Sequence, residues 1–138
     1  MTYDFKGKTA IVTGASRGIG AAIARTLAED GARVILIARN EDRLRELSES
    51  LPGDAAFISA DFSKADSWEH VAKAALDIAP QIDVLVNNAG TIAQEPVKRL
   101  TEKAVDAVLN VNVRNLMMLT HSLTPSLIEA RGSVVNVS

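Results

Sequence analysis

The sequence has no cysteine among its 138 residues, and tyrosine occurs once, as Tyr3. The absence of cysteine excludes disulfide bonds, thiolate metal sites and a cysteine nucleophile. It also fits the reducing environment of the cytosol, so we expect a cytoplasmic protein. No apolar run approaches the roughly 20 residues that a membrane-spanning helix needs, and the amino terminus is too polar for a signal peptide. We therefore expect neither a membrane partner nor secretion.

The chain also lacks an excess of one charge, with 15 basic against 17 acidic residues and a net charge of −2. The basic residues form no stripe that could neutralise a run of phosphates, so we expect no nucleic-acid partner. His70 and His121 fall on separate predicted helices without a carboxylate cluster, so we expect no metal site. Apolar residues make up 47% of the chain, which is typical of a soluble globular domain. At this length we expect one domain over residues 1–138.

Short apolar or β-branched runs alternate along the chain with segments of helical periodicity. We predict strands at residues 8–13, 33–38, 55–59, 84–87 and 133–138. We predict helices from residue 18 to a stop near 30, from 41 to 51 after the capping residue Asn40, from beyond Ser63 to about 78, and from Thr101 onwards. The last of these is expected to be long, with one stripe formed by Val105, Val108, Asn112, Leu116, Leu119, Leu123 and Leu127.

This alternation predicts an α/β fold, a doubly wound parallel sheet of the Rossmann type with helices on both faces. About five strands are expected, in the order 3-2-1-4-5. In such sheets ligands bind beyond the carboxyl ends of the strands, where the winding reverses. For this order the reversal lies between the first and fourth strands, so Gly14 and Gly90 should flank one crevice.

A glycine-rich turn follows the first strand and reads Thr-Gly-Ala-Ser-Arg-Gly-Ile-Gly. Its spacing, Gly-x-x-x-Gly-x-Gly before a helix, predicts a site where backbone N–H groups hold a dinucleotide pyrophosphate. Thr13 and Ser16 are expected to add hydroxyl donors. The alternative is a glycine-rich turn that binds nothing. The turn residues expected at the cofactor are Gly14, Ser16, Arg17, Gly18, Ile19 and Gly20.

The end of the second strand predicts which dinucleotide is bound. An acidic residue there accepts from a ribose 2′-OH, whereas a basic residue suits a 2′-phosphate. Here the strand ends Ile-Ala-Arg-Asn, and Arg39 can form a charge-assisted bidentate pair with phosphate, helped by Arg17. We therefore predict NADP(H) over NAD(H). The alternative is that both arginines are ordinary solvated side chains.

Three motifs in order make the chain resemble the short-chain dehydrogenase/reductase family over residues 7–138. They are Thr-Gly-x-x-x-Gly-x-Gly at the first turn, Asp61 after the third strand and Asn-Asn-Ala-Gly at residues 87–90. The resemblance implies that Asp61 and Phe62 flank the adenine, and that Asn87 stabilises the sheet. It places Asn88, Ala89 and Gly90 on the ribose and nicotinamide side. The plainer alternatives are an Asx-type turn for Asp61 and a capped strand end for residues 87–88.

Asn112 is a polar side chain on the apolar stripe of the last helix, so we expect a buried amide that must find partners. The resemblance implies a catalytic part for it, because the family's asparagine in this string bends the helix and holds a water in a proton relay to a lysine. The plainer alternative is a buried amide satisfied by neighbouring backbone, and the two are not exclusive.

The family's remaining catalytic groups are a serine after the fifth strand and a Tyr-x-x-x-Lys pair on the next helix. By that register Ser138 falls one residue before the catalytic serine, and the only tyrosine is Tyr3. We expect those groups beyond Ser138, so the chain is an incomplete form of the family fold. It is expected to supply cofactor binding and to be inactive alone.

The resulting hypothesis is an NADP(H)-dependent oxidoreductase that transfers hydride to or from a carbonyl or alcohol substrate. The family resemblance also implies a homo-oligomer, through the helix at residues 105–127. One alternative is a non-catalytic dinucleotide-binding half-domain that self-associates through an open strand edge. A further alternative is an adenosylmethionine-dependent methyltransferase, although the acid usual after its second strand has no match at Arg39.

Overall fold

The computed structural model describes residues 3–138 and contains one parallel sheet of five strands. The strands are β1 (Thr9–Thr13), β2 (Arg33–Ala38), β3 (Ala56–Ser59), β4 (Val84–Asn87) and β5 (Ser133–Asn136). They lie in the order β3-β2-β1-β4-β5, and every neighbouring pair is parallel. The α/β class and the strand order predicted from the sequence are confirmed.

Helices cover both faces of this sheet. They are α1 (Gly18–Glu29), α2 (Glu41–Ser50), α3 (Ser67–Ile78), α4 (Glu102–Leu109) and α5 (Asn115–Ala130). Helices α1 and α2 pack with Ala10 and Val12 of β1 in one apolar layer, while α3 and α5 pack with Ile11 in the other. Because successive strand residues point to opposite faces, a strand covered on both sides must be apolar at every position. This requirement explains the uninterrupted burial of β1.

Two helix starts follow the capping pattern of the sequence. The Asn40 side chain accepts a hydrogen bond from the Arg43 N–H at 3.0 Å, and the Thr101 hydroxyl accepts one from the Ala104 N–H at 3.2 Å. Each side chain satisfies a helix N–H that has no partner within its own helix. The predicted starts of α2 and α4 are therefore confirmed.

The predicted long helix after Thr101 is interrupted, because residues 110–114 form a π turn between α4 and α5. A π turn adds a residue to the helical repeat and rotates everything beyond it. The single stripe expected from residue 105 to residue 127 is therefore wrong in its first half, since Val105 is exposed and α4 buries no residue. The residues that α5 buries are Asn115, Leu119, Leu123 and Leu127.

Strand β5 forms one edge of the described sheet. All four of its residues are exposed, and regular pairing stops at Asn136, two residues before the predicted end. The Asn87 side chain donates to Asn136 Oδ1 at 2.9 Å and to the Thr120 hydroxyl at 3.1 Å, so it ties β4 to β5 and to α5. Asn87 is 2% exposed, in keeping with the sheet-stabilising part that the resemblance implies. Within residues 3–138 no helix has the length and apolar character to cross a bilayer.

Asp83 links three strands at their amino ends. Its buried carboxylate accepts hydrogen bonds from the Thr9 N–H at 2.9 Å, Lys8 Nζ at 3.1 Å and Gln81 Nε2 at 3.1 Å. Its main-chain carbonyl accepts one from the Ser133 N–H at 2.8 Å. Burial acts to raise the pKa of Asp83, but the three donors outweigh burial and lower that pKa below its ordinary value. One residue thus connects β1, β4 and β5.

Replacing Asp83 by asparagine should destabilise the chain at neutral pH by about 2 kcal/mol, because charge-assisted hydrogen bonds are lost. A lowered folded-state pKa gives stability that is present above the unfolded value, about 3.9, and is lost as the pH falls through the folded value. Urea unfolding of wild type and Asp83→Asn should therefore show a gap at pH 7 that closes in acid. Asp54→Asn is the control, since Asp54 is an exposed ion-pair partner of Arg33 and should change stability by less than about 1 kcal/mol. A gap for Asp83→Asn that stays constant with pH would contradict this account.

Candidate functional site

A cleft of about 530 Å³ opens where the winding of the sheet reverses, beyond the carboxyl ends of β1 and β4. Gly14 lines one side of the cleft and Gly90 the other, as the strand order predicts. Three residues predicted at the cofactor, Gly18, Gly20 and Asp61, are not among those lining the cleft. The predicted residues that do line it are Gly14, Ser16, Arg17, Ile19, Arg39, Phe62, Asn88, Ala89 and Gly90.

The glycine turn bends sharply off β1 and leads directly into α1. Gly14 and Gly18 have φ angles of 65° and 57°, a left-handed conformation that side-chain-bearing residues rarely adopt. Helix α1 begins at Gly18 and has no acidic residue in its first turn. An anion in the cleft would therefore meet the positive end of a helix dipole without a competing carboxylate.

Gly20 lies behind the turn rather than on the surface of the cleft. A Cβ atom at this position would overlap the Gly14 carbonyl oxygen and would lie 2.5 Å from Asn88 Nδ2. Because both atoms belong to the loops that frame the cleft, any side chain here would push α1 away from them. Gly20 therefore acts through close packing, in the manner expected of the third glycine of the motif.

Thr13 joins the two loops that frame the cleft. Its hydroxyl oxygen accepts hydrogen bonds from the N–H groups of Asn88 and Ala89, both at 3.0 Å. Its hydroxyl proton is directed to the Val86 carbonyl oxygen at 3.4 Å. The prediction that Thr13 donates to the pyrophosphate is wrong, because the residue is buried and its hydroxyl is engaged within the protein.

The Asn88 side chain strengthens the same junction. Its Nδ2 donates to the Thr13 carbonyl oxygen at 3.2 Å and to the Gly14 carbonyl oxygen at 3.3 Å. Asn88 also lines the cleft. It therefore holds the glycine turn against the loop after β4, a bracing contact that the motif does not reveal.

Three arginines line one end of the cleft. Arg17 comes from the glycine turn, Arg39 from the end of β2 and Arg43 from the first turn of α2. Within residues 3–138 none of the three forms an ion pair with a carboxylate. The sequence does not single out Arg43, although its position three residues after the helix cap Asn40 places it at the same end of the sheet as Arg39.

Asp61 and Phe62 follow β3 on the same side as the arginines. Asp61 Oδ1 accepts a hydrogen bond from the Ser63 N–H at 3.0 Å, which is the Asx-type turn considered as the plainer alternative. Burial acts to raise the pKa of Asp61, but hydrogen bonds from Ser63 lower it. The charges of Arg39 and Lys64 lower it further, so the pKa lies below its ordinary value. Asp61 is therefore an anion at neutral pH, while Phe62 is 7% exposed and forms part of the cleft wall.

Asn112 lies in the π turn and is exposed, so its predicted burial is wrong. The π turn rotates it off the stripe that α5 buries. Its Oδ1 accepts from the Thr91 N–H and its Nδ2 donates to the Thr91 carbonyl oxygen, both at 2.8 Å. Its amide is thus satisfied by nearby backbone, and it lies next to Gly90 at the end of the cleft opposite the arginines. Its catalytic part stays a prediction.

The remaining lining residues are mostly apolar. Ile37, Ala38 and Ala60 come from the ends of β2 and β3, and Val111 comes from the π turn. Within the described part of the chain, no group of three or more His, Asp and Glu side chains is placed to hold a metal ion. The site therefore combines a glycine turn, a cationic end and apolar walls, which suits a phosphorylated ligand with flat rings.

The family model described as short chain dehydrogenase matches residues 8–138. The chain belongs to the short-chain dehydrogenase family. An uncharacterized oxidoreductase of Staphylococcus epidermidis is 34% identical to it over 134 residues, which cover 96% of this chain and 58% of that protein.

Two solved structures show the same family likeness. A metagenomic short-chain oxidoreductase in complex with NADP superposes with a TM-score of 0.89 and 38% identity, covering 97% of this chain and 62% of the other. A 3-oxoacyl (acyl-carrier-protein) reductase from Agrobacterium tumefaciens C58 with NADP bound superposes with a TM-score of 0.88 and 33% identity, covering 98% of this chain and 54% of the other. The chain thus spans little more than half the length of these relatives. The matches give no support to the methyltransferase alternative.

Thr13 gives a direct test of how the two loops that frame the cleft are held together. Thr13→Val keeps the shape of the side chain but removes the acceptor of two N–H groups, so the free energy of unfolding should fall by about 2 kcal/mol or more. Thr13→Ser keeps the hydroxyl and loses one methyl group, which should cost about 0.8 kcal/mol. Urea unfolding of the three proteins measures the difference. Equal losses in both variants would show that the methyl contacts, and not the hydrogen bonds, matter at this position.

Proposed function

We propose that this chain binds NADP(H) in the cleft between β1 and β4 and forms the cofactor-binding part of an oxidoreductase. The proposed reaction is hydride transfer between the nicotinamide ring and a carbonyl or alcohol group of a small-molecule substrate. One observation carries the choice of cofactor, namely three arginines that form no ion pair within residues 3–138, at the end of the cleft where the adenosine ribose is expected.

The residues of the cleft fit the successive parts of this dinucleotide. The pyrophosphate would lie at the start of α1, where Gly14 and Gly18 leave the backbone N–H groups accessible. A 2′-phosphate would be held by Arg17, Arg39 and Arg43 through charge-assisted hydrogen bonds. Gly14 and Gly18 have the left-handed backbone conformation that such a turn requires, and Gly20 has no room for a side chain.

Other residues of the cleft could contact the adenine and nicotinamide rings. The adenine would lie against Phe62, with Asp61 just before it on the same loop, and the nicotinamide would face the backbone of residues 88–90. When bound, the nicotinamide supplies or accepts the hydride. The NADP complexes of the two structural neighbours support this choice of cofactor, and the keto substrate of one neighbour supports the substrate class.

The chain itself has few groups that could move the proton of such a reaction. Its only tyrosine, Tyr3, is 62% exposed and lies beside Phe5 and the outer face of α1, away from the cleft. We therefore propose that the 138-residue chain binds cofactor and, tested alone, does not turn over substrate. The cytoplasmic location expected from the sequence stays a prediction.

The cofactor proposal predicts a clear preference in binding titrations. NADPH should bind at least about tenfold more tightly than NADH, which corresponds to about 1.4 kcal/mol. Arg39→Ala and Arg43→Ala should each remove most of that preference, because a charge-assisted hydrogen bond contributes about 1.5–3 kcal/mol. Both variants should leave NADH binding within about twofold.

Arg25→Ala is the matched control for these titrations. It removes the same charge, but Arg25 lies on α1 and donates to the Ser50 hydroxyl at 3.2 Å, outside the cleft. It should leave both affinities near those of the wild type. NADH binding that equals or exceeds NADPH binding would overturn the proposed cofactor. If Arg25→Ala weakened NADPH binding as much as Arg39→Ala and Arg43→Ala, the effect would come from the net charge of the protein and not from contacts in the cleft.

The exposed strand β5 favours a second candidate function, a non-catalytic dinucleotide-binding unit that self-associates. Val134 and Val135 are 41% and 48% exposed on this edge strand. Unpaired N–H and C=O groups with apolar side chains at an edge favour pairing with a second chain. The apolar residues Leu109, Val113 and Met117 are also exposed at four-residue spacing across the π turn.

Turnover and molar mass measured on one sample separate the two candidates. The purified chain should bind NADPH and show no NADPH oxidation with aldehydes, ketones or a 3-oxoacyl thioester, because no tyrosine reaches the cleft. Substrate-dependent oxidation above the rate without protein would contradict the proposed inactivity. An inactive dimer that Val134→Lys on β5 converts to a monomer would favour the second candidate, because a charged residue on an edge strand opposes pairing. An inactive chain whose mass by light scattering does not change with Val134→Lys would favour the cofactor-binding part of an oxidoreductase.

A further inference from the structure

The π turn connects to both walls of the cleft through asparagine side chains. A π turn closes i to i+5 hydrogen bonds and so brings residues five apart onto one side, whereas in an α-helix they lie about 140° apart. Asn110 and Asn115 are five residues apart across this turn. Both face the loop after β3, while Asn112 faces the loop after β4.

Asn115 is completely buried, and its amide is fully hydrogen-bonded. The two N–H groups of its Nδ2 are shared among the carbonyl oxygens of Phe62 at 2.9 Å, Lys64 at 2.8 Å and Asn110 at 3.1 Å. Its Oδ1 accepts from the Trp68 N–H at 2.9 Å, next to the start of α3. A buried amide with this set of partners fixes the backbone around it, since moving any partner leaves a buried polar group unsatisfied.

Asn110 also bonds to the loop after β3. Its Nδ2 donates to the Ser63 carbonyl oxygen at 2.8 Å, and its Oδ1 accepts from Arg114 Nε at 3.1 Å. The two asparagines therefore hold three consecutive carbonyl groups, those of residues 62, 63 and 64. This short loop carries the Phe62 wall of the cleft.

We propose that Asn110 and Asn115 are positioning residues for the adenine half of the cofactor. By holding the carbonyl groups of residues 62–64, they set the place of Phe62 before the cofactor binds. The inference rests on the proposed function, because it assigns this wall to the adenine. Asn112 bonds to Thr91 in the loop after β4. Asparagines in or next to the π turn therefore hold both loops, the one after β3 and the one after β4.

Asn110→Ala is the test variant. It removes the one hydrogen bond from Asn110 to the loop and an exposed contact with Arg114 on the same helical segment, and it leaves Asn115 to support folding. The probe is adenosine 2′,5′-bisphosphate, the adenine half of NADP, titrated calorimetrically into the 138-residue chain. Binding should weaken about three- to tenfold, the effect of one lost hydrogen bond. Amide hydrogen exchange at Ser63 and Lys64 should rise, while exchange in β1 and β2 should not change, because only the loop has lost its support.

Two control variants come from the same turn. Val113→Ala shortens a side chain that is 45% exposed and should leave both measurements at the wild-type values. Asn112→Ala removes two hydrogen bonds, but both go to Thr91, so it should leave binding of the adenine probe within about twofold.

The outcomes separate this inference from the proposed function. A wild-type chain that does not bind the probe overturns the proposed function and, with it, the assignment of the wall to the adenine. Probe binding that Asn110→Ala leaves unchanged overturns the inference alone. An equal loss in Asn112→Ala, or faster exchange throughout the sheet, also overturns it, because the asparagines would then support folding in general.

Discussion

The site depends on the hydrogen bonds that the Thr13 hydroxyl accepts from the backbone of the loop after β4. At the reversal of winding, helices leave the neighbouring strands β1 and β4 toward opposite faces, and a gap opens between the two loops. Backbone N–H groups at the edge of this gap need partners. Thr13 supplies an acceptor from one side and Asn88 supplies a donor from the other, so the two loops are bonded to each other across the gap.

Four amide and hydroxyl side chains in or next to the loops around the cleft bond to backbone. Thr13, Asn88, Asn112 and Asn115 each bond main-chain groups of a neighbouring loop. Rigid loops lower the cost of ordering a site when a ligand binds. The arginines at the other end contrast with this arrangement, because none of them forms an ion pair with a carboxylate among residues 3–138. Shape in this cleft thus comes from amides and hydroxyls, and its positive charge comes from guanidinium groups.

The two carboxylates with lowered pKa values lie at opposite ends of the sheet. Asp83 connects β1, β4 and β5 at their amino ends, far from the cleft, and its donors include backbone and lysine groups. Asp61 lies at the carboxyl ends, where a turn within its own loop and the charge of Arg39 keep it ionised. The first stabilises the scaffold, while the second places a fixed negative charge beside the cationic end of the cleft.

The sequence by itself determined the strands, the glycine turn and the family, because each of these depends on local periodicity or on the short spacing of residue types. The strand order followed from the rule for doubly wound parallel sheets, once the alternation of strands and helices indicated that class. Only the tertiary structure decided which asparagine is buried. A π turn is an i to i+5 irregularity that a 3.6-residue period does not reveal, so Asn115 and not Asn112 enters the core. The direction of the Thr13 hydrogen bonds and the convergence of Arg43 on the cleft were likewise decided there, because both depend on atoms distant in sequence.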